Sequence, residues 1–175
     1  MSPNAPRPLL LSSTPPLNVV LVEPLIPQNT GNIARLCVGT GSVLHLVRPL
    51  GFDVTEKAVR RAGLDYWQHL TLKVHEDWNE LRSAFPAGTR LFGTSKAARR
   101  AYTAVDYRPG DALVFGKETS GLSQAILAEL GDSVVAVPRF GPVRSLNIGN
   151  TVAVVLYEAL RQLTGGFDTF GGAAP

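Results

Sequence analysis

Three short polar segments of this 175-residue chain hold residue types that can act together on a ligand: Asn29 to Arg35, Gly116 to Gly121 and Arg144 to Asn150. Each follows an apolar run of strand length. The third, Arg144-Ser145-Leu146-Asn147-Ile148-Gly149-Asn150, passes straight into Thr151-Val152-Ala153-Val154-Val155-Leu156-Tyr157, whose apolar residues keep helical spacing. A polar loop that opens a buried helix presents backbone and side-chain donors at the helix N-terminus. That is a common place to hold a carboxylate, a phosphate or a polar cofactor edge.

Exclusion narrows the chemistry. No G-x-G-x-x-G follows the first apolar run, and Gly116-Lys117 is followed by Glu118 with Gly110 one residue out of place, so neither a dinucleotide fingerprint nor a P-loop is present. His45, His69 and His75 share no ligand spacing with carboxylates; His45 falls within a predicted strand, and His69 and His75 are expected at the surface. Ser120 and Ser145 have no histidine in a triad context. The single cysteine, Cys37, excludes an internal disulfide and a cysteine zinc cluster, and it sits where a buried thiol is expected. Asparagine, arginine, glutamate, serine and backbone donors remain. That set suits orienting a ligand whose own leaving group carries the reaction. Methyl transfer from a sulfonium cofactor is such a reaction: it needs no metal and rests largely on placing donor and acceptor in line.

The elements that must position these segments alternate. Strands are predicted at Leu17 to Val22, Val43 to Val47, Leu70 to Val74, Arg90 to Thr94, Ala112 to Phe115 and Ser133 to Val137. Helices are predicted from Gln28 to a stop at Gly41, at Thr55 to Arg61, at Glu76 to Phe85, from an N-cap at Ser123 through Leu130, and over Ile148 to Leu163. Residues about 95 to 111 are read as a polar loop. The alternation predicts one α/β domain over residues 17 to 164, with a mostly parallel sheet and helices on both faces. Ligands of such sheets bind beyond the carboxyl ends of the strands, where all three polar segments fall. Residues 1 to 16 read as a disordered Pro-rich leader and 165 to 175 as a loose Gly-rich tail.

Net charge is +3 at pH 7, which permits an anionic partner without requiring one. The basic residues cluster as Lys57, Arg60 and Arg61, as Lys96, Arg99 and Arg100, and as Arg139 and Arg144. Taken singly, each cluster is an ordinary solvated surface; together, beside strand ends, they favour a phosphate-bearing ligand. No apolar run approaches the ~18 residues of a membrane span, and with one cysteine a cytoplasmic location is expected.

Ile26-Pro27-Gln28-Asn29-Thr30-Gly31-Asn32-Ile33-Ala34-Arg35, Phe115-Gly116-Lys117-Glu118-Thr119-Ser120-Gly121-Leu122 and Arg144-Ser145-Leu146-Asn147 resemble, in order and spacing, the three motifs of the SpoU branch of the SPOUT methyltransferases. Ala62-Gly63-Leu64-Asp65-Tyr66 and Tyr157-Glu158-Ala159-Leu160-Arg161-Gln162 are further similar to the small bacterial subfamily that 2'-O-methylates the wobble nucleotide of certain leucine tRNAs. The resemblance implies a C-terminal deep trefoil knot, which pattern reasoning would not propose. It also implies a homodimer, tRNA as substrate with no protein partner, and S-adenosylmethionine as cofactor, released as S-adenosylhomocysteine.

Carried over residue by residue, the resemblance gives Thr94, Gly116, Val137, Ser145 and Leu146 to the cofactor. The catalytic group would be Arg35, Asn29, Glu118, Ser145 and Asn147. An arginine is a poor base, so orientation of the ribose and its phosphate suits Arg35 better than deprotonation. Asn29 as a plain helix cap, and Ser145 and Asn147 as caps of the last helix, are the rival assignments. Arg60, Arg61, Arg99, Arg100, Arg144 and Tyr157 form the implied RNA surface, with core or dimer packing the alternative for Tyr157. Two positions depart from the pattern: relatives carry an aliphatic residue at Thr94 and often a serine at Gly149. The competing functions are a sister enzyme acting on ribosomal RNA or another tRNA position, and a non-catalytic RNA-binding module.

Overall fold

Apolar side chains alternate along the strands, so each strand must be covered on both faces. Val19 and Leu21 of β1 (Asn18–Val22) pack with Leu44 and Leu46 of β2 (Val43–Val47) and with Leu113 and Phe115 of β6 (Ala112–Phe115). Val20, Val22, Val47, Ala112 and Val114 face the other way into a second cluster, as the two-residue side-chain period requires. The computed structural model describes residues 16–53 and 65–167. The expected helix at Thr55 to Arg61, with Arg60 and Arg61, lies outside the described residues, as do the leader up to residue 15 and the tail beyond Phe167.

The remaining strands are β3 (Leu72–His75), β4 (Leu91–Thr94), β5 (Arg100–Ala101) and β7 (Val134–Ala136). Among the described residues seven strands form one sheet in the order β3-β2-β1-β6-β4-β7-β5, and every strand pairing is parallel. Helices α1 (Pro27–Thr40) and α4 (Ile148–Leu163) cover one face through Ile33, Ala34, Cys37, Val152, Val155, Leu156 and Ala159. Helices α2 (Trp78–Ala84) and α3 (Gln124–Leu130) cover the other through Leu81, Ile126 and Leu130. Cys37 lies in the first core, and burial pushes its thiol up to about 12, which leaves it inert.

The helix boundaries follow their caps. The Ser123 side chain accepts from the Ile126 N–H, Asp77 does the same for Glu80, and Gly41 ends α1 at a φ of 67°. Two expectations need correction. The loop expected between residues 95 and 111 contains β5 and a 3-10 turn at Tyr102–Ala104. Two residues are too few to show a period, and β5 exists only through its pairing with β7. His75, expected at the surface, is 4% exposed. It is the last residue of β3, and its ring stacks on that of His45 at 5.2 Å.

Those two histidines form a buried polar chain. Asn18 Nδ2 donates to the Gly110 carbonyl at 2.9 Å, and Asn18 Oδ1 lies 3.2 Å from His45 Nε2. The oxygen can only accept, so His45 carries its proton on Nε2. His45 Nδ1 then accepts from His75 Nε2 at 3.0 Å. With one nitrogen donating and the other accepting, the His45 ring is therefore neutral. Burial first, then the neighbouring His75 and Lys73, lower the His45 pKa to about 3. Burial is also the largest influence lowering His75, partly opposed by Glu80.

The unfolded chain takes up these protons near pH 6.5, whereas the folded chain resists them. Stability from the pair is therefore whole above about pH 6.5 and declines as the pH falls toward the folded values. Thermal unfolding should show Tm dropping between pH 7 and pH 5. His45→Gln should be less stable at pH 7 but have a shallower decline; an equally steep decline in the variant would show that the pair does not set it.

Candidate functional site

Helix α1 begins without a cap of its own: Ile26 at its N-cap offers no side-chain acceptor, Pro27 has no N–H, and its first turn holds no acidic residue. The loop after β6 instead holds the chain just ahead of the helix and one side chain of its first turn. Glu118 accepts from the Leu25 N–H at 2.9 Å, the Ile26 N–H at 3.1 Å and Asn29 Nδ2 at 3.1 Å. A carboxylate is favoured at a helix N-terminus. Burial, the largest single influence, pushes the Glu118 pKa up. The hydrogen bonds from Leu25, Asn29, its own backbone and Ile26 outweigh it and hold the group below the usual carboxylate range.

Since Glu118 can only accept, the Asn29 amide must turn its nitrogen toward it and its oxygen away. That oxygen accepts from Asn147 Nδ2 at 3.1 Å. Asn147 Oδ1 in turn caps α4, accepting from the Gly149 N–H at 2.8 Å and the Asn150 N–H at 3.4 Å. One directed chain thus ties all three polar segments together. The cap also accounts for Gly149: Asn147 supplies the acceptor, and a Cβ at Gly149 would stand 3.1 Å from Asn147 Oδ1. A serine hydroxyl is not needed to start this helix.

The second and third segments, with the residues that follow β4, line a cleft of about 360 Å³ beyond the carboxyl ends of β4, β6 and β7, a volume ordinary for a small-molecule site; Asn29, Arg35 and Asn147 stand outside its lining. Thr94, Gly116, Val137, Ser145 and Leu146 all line it, with Glu118 at its side. Gly116 sits where backbone meets backbone: a Cβ there would come within 2.1 Å of the Gly121 carbonyl carbon and 2.2 Å of the Leu122 nitrogen. The Thr94 hydroxyl donates to the Val114 carbonyl of the adjacent strand at 3.2 Å, so its polarity is satisfied within the sheet. Lys96, Lys117 and Arg139 put positive charge on the cleft wall, and Lys117 pairs with Glu23 at the end of β1.

Arg35 lies on the exposed side of α1 with its guanidinium 4.7 Å from the centre of the Tyr66 ring. Tyr66 also donates its hydroxyl to the Gly31 carbonyl at 2.8 Å. The tyrosine therefore braces both α1 and its arginine, a job visible only once the 3-10 turn at Asp65–His69 is placed beside that helix. Arg144 and Arg99 are exposed. Arg100 faces elsewhere, donating to the Ala104 carbonyl in a second cleft of about 470 Å³ that it shares with Arg82, Arg90 and Arg108. Tyr157 is 46% exposed on α4 and meets Phe167 edge-on, so it is not a core residue.

The chain of amides makes a sharp prediction. Asn29→Ala should cost roughly 1–2 kcal/mol in urea unfolding. Asn29→Asp should cost more at pH 7, because it sets a second carboxylate against Glu118, and the difference between the variants should shrink below about pH 4.5. Equal losses at both pH values would break the assignment of the Asn29 amide.

Comparisons with known proteins point one way. Residues 16–157 match the family described as the SpoU rRNA Methylase family. A tRNA (cytidine(34)-2'-O)-methyltransferase of Burkholderia pseudomallei is 46% identical, over 89% of this chain and 99% of its own length. A solved structure described as "Structural insights into the 2-OH methylation of C/U34 on tRNA" superposes with a TM-score of 0.80 at 44% identity, covering 85% of this chain and 97% of that one. The SpoU methyltransferase AviRb of Streptomyces viridochromogenes, solved in complex with the cofactor AdoMet, gives a TM-score of 0.70 at 30% identity, over 85% of this chain and 58% of that chain. With its seven-stranded parallel sheet and its three joined loops, the chain belongs to the SpoU methylase family.

Proposed function

We propose that this protein is an S-adenosylmethionine-dependent RNA ribose 2'-O-methyltransferase that modifies the wobble nucleotide, a cytidine or modified uridine, of leucine tRNAs. The observation that carries the proposal is the joining of the three motif loops by Glu118, Asn29 and Asn147 beside one cleft. The names of relatives, tRNA (cytidine(34)-2'-O)-methyltransferases among them, support the position. The AdoMet-bound SpoU structure supports the cofactor.

The residues present fit that cofactor. Gly116 lets the main chain at the cleft lie against Gly121 and Leu122, where a Cβ would collide and displace the loop, and Thr94, Val137, Ser145 and Leu146 supply mixed polar and apolar walls for an adenosine and an amino-acid end. When bound, S-adenosylmethionine supplies a methyl group on a sulfonium, a leaving group that departs readily. The chain's own residues supply placement. Arg35, always charged, orients the ribose and its phosphate and accepts no proton, while Tyr66 holds it in position. The 2'-hydroxyl proton goes to a side chain, a water molecule or the RNA's own phosphate. Arg99 and Arg144, with Arg60 and Arg61, offer phosphate contacts.

The reading includes a homodimer, supported by Leu25, Ile26, Val154 and Tyr157, apolar or aromatic side chains left exposed on α1's entry and on α4. It includes a C-terminal trefoil knot, following the family resemblance, and a cytoplasmic location. Among the described residues no helix is long and apolar enough to cross a membrane.

Purified protein with S-adenosylmethionine should methylate tRNA from a methylation-deficient strain, and mass spectrometry should place the methyl on the wobble ribose. Arg35→Ala should lower the rate roughly a hundredfold while calorimetry still shows cofactor binding. Gly116→Ala should lose cofactor binding itself. A methyl mapped to ribosomal RNA or another tRNA position would favour the sister-enzyme reading. Indifference to both the cofactor and its demethylated product would favour a non-catalytic RNA binder.

A further inference from the structure

The loop from β7 to α4 holds out a side chain that neither the sheet nor the cleft uses. Phe140 is 98% exposed, with Val143 beside it at 56%. The loop is nonetheless braced. Pro138 and Pro142 fix two of its backbone angles, and the Arg139 guanidinium reaches back to the Arg144 carbonyl, closing its base. A Cβ placed on Gly141 would meet nothing within 4 Å, so the space around the tip is open. A phenyl ring presented this way gains nothing from folding, while the backbone that carries it is braced.

We propose that Phe140 is a base-stacking residue, whose ring takes the face of an unpaired nucleobase of the RNA substrate and so helps select the nucleotide delivered to the cleft. This rests on the reading of the protein as an enzyme acting on RNA. Three observations choose the occupant. Arg139 and Arg144 flank the ring on the same loop, and Lys96 stands on the cleft wall, so charge suited to backbone phosphates surrounds an aromatic face. The loop runs directly into Ser145 and Leu146, which line the cleft, so a base held at its tip lies on the strand that enters the site. Finally, the ring is 98% exposed, so its faces are open to a planar partner.

The test uses the full-length protein and fluorescently labelled bulk tRNA, with binding read by anisotropy and methylation read separately. Phe140→Ala should weaken tRNA binding about 5- to 150-fold, the equivalent of one stacked base, and raise KM in step. Phe140→Leu should be as weak as Phe140→Ala, whereas Phe140→Trp should bind at least as well as the wild type. Calorimetry with S-adenosylmethionine and sedimentation should be unchanged in all three. The proposal is overturned if Phe140→Leu binds like the wild type, if Phe140→Ala binds undiminished, or if Phe140→Ala sediments as a smaller species, which would make the residue a contact between copies. Wild-type protein that binds tRNA through Phe140 but methylates none keeps the stacking and removes the enzymatic reading. Wild-type protein that binds no tRNA removes both.

Discussion

Everything at the carboxyl end of the sheet depends on where the two oxygens of Glu118 find their donors. A helix whose first turn lacks its own acceptor, an asparagine buried to 9% exposure and a second helix opened by Asn147 are joined in series to that one carboxylate. The order of donors is forced, because a carboxylate only accepts and an amide must turn one end each way. The three loops are therefore not independent pieces that happen to converge. They share a single polarity, and the loop of Glu118, which lines the cleft, is held by it.

The sheet makes this arrangement possible. Parallel strands deliver all their carboxyl ends to one side, and β1 and β6, adjacent in the sheet, bring residues 23 to 29 within reach of residues 116 to 122 across some ninety positions of sequence. Two cores on opposite faces fix the sheet against α1 and α4 on one side and α2 and α3 on the other. The helices that carry Arg35 and Asn147 consequently lie on the same face, where their N-termini can meet.

Much of this was legible in the sequence, and the reasons are physical. Val43 to Val47 and Ala112 to Phe115 are apolar runs bounded by breakers, and both form strands with those limits. Helix α4 shows its period for four turns, and Ser123 announces α3. The polar segments were visible because asparagine, glutamate and arginine cluster at strand ends. The sequence was silent where a feature depends on partners far along the chain. Strand β5 is created by pairing, His75 is buried by His45, Tyr66 finds Arg35 through space, and the Asn29 amide takes its direction from Glu118. Residue type alone did not separate Arg99 from Arg100; Arg99 lies in the bend before β5, whereas Arg100 opens that strand and is turned to the Ala104 carbonyl.

The contact at Gly116 has a consequence for how such a cleft can change over generations. There the backbone of Gly116 lies against that of Gly121 and Leu122, with no room for a side chain. Point substitution therefore cannot alter that position without moving the chain. The loop tip at Phe140 and the outer face of α4 carry no such restriction. Drift in this protein can therefore alter those outer surfaces far more readily than the turn at Gly116.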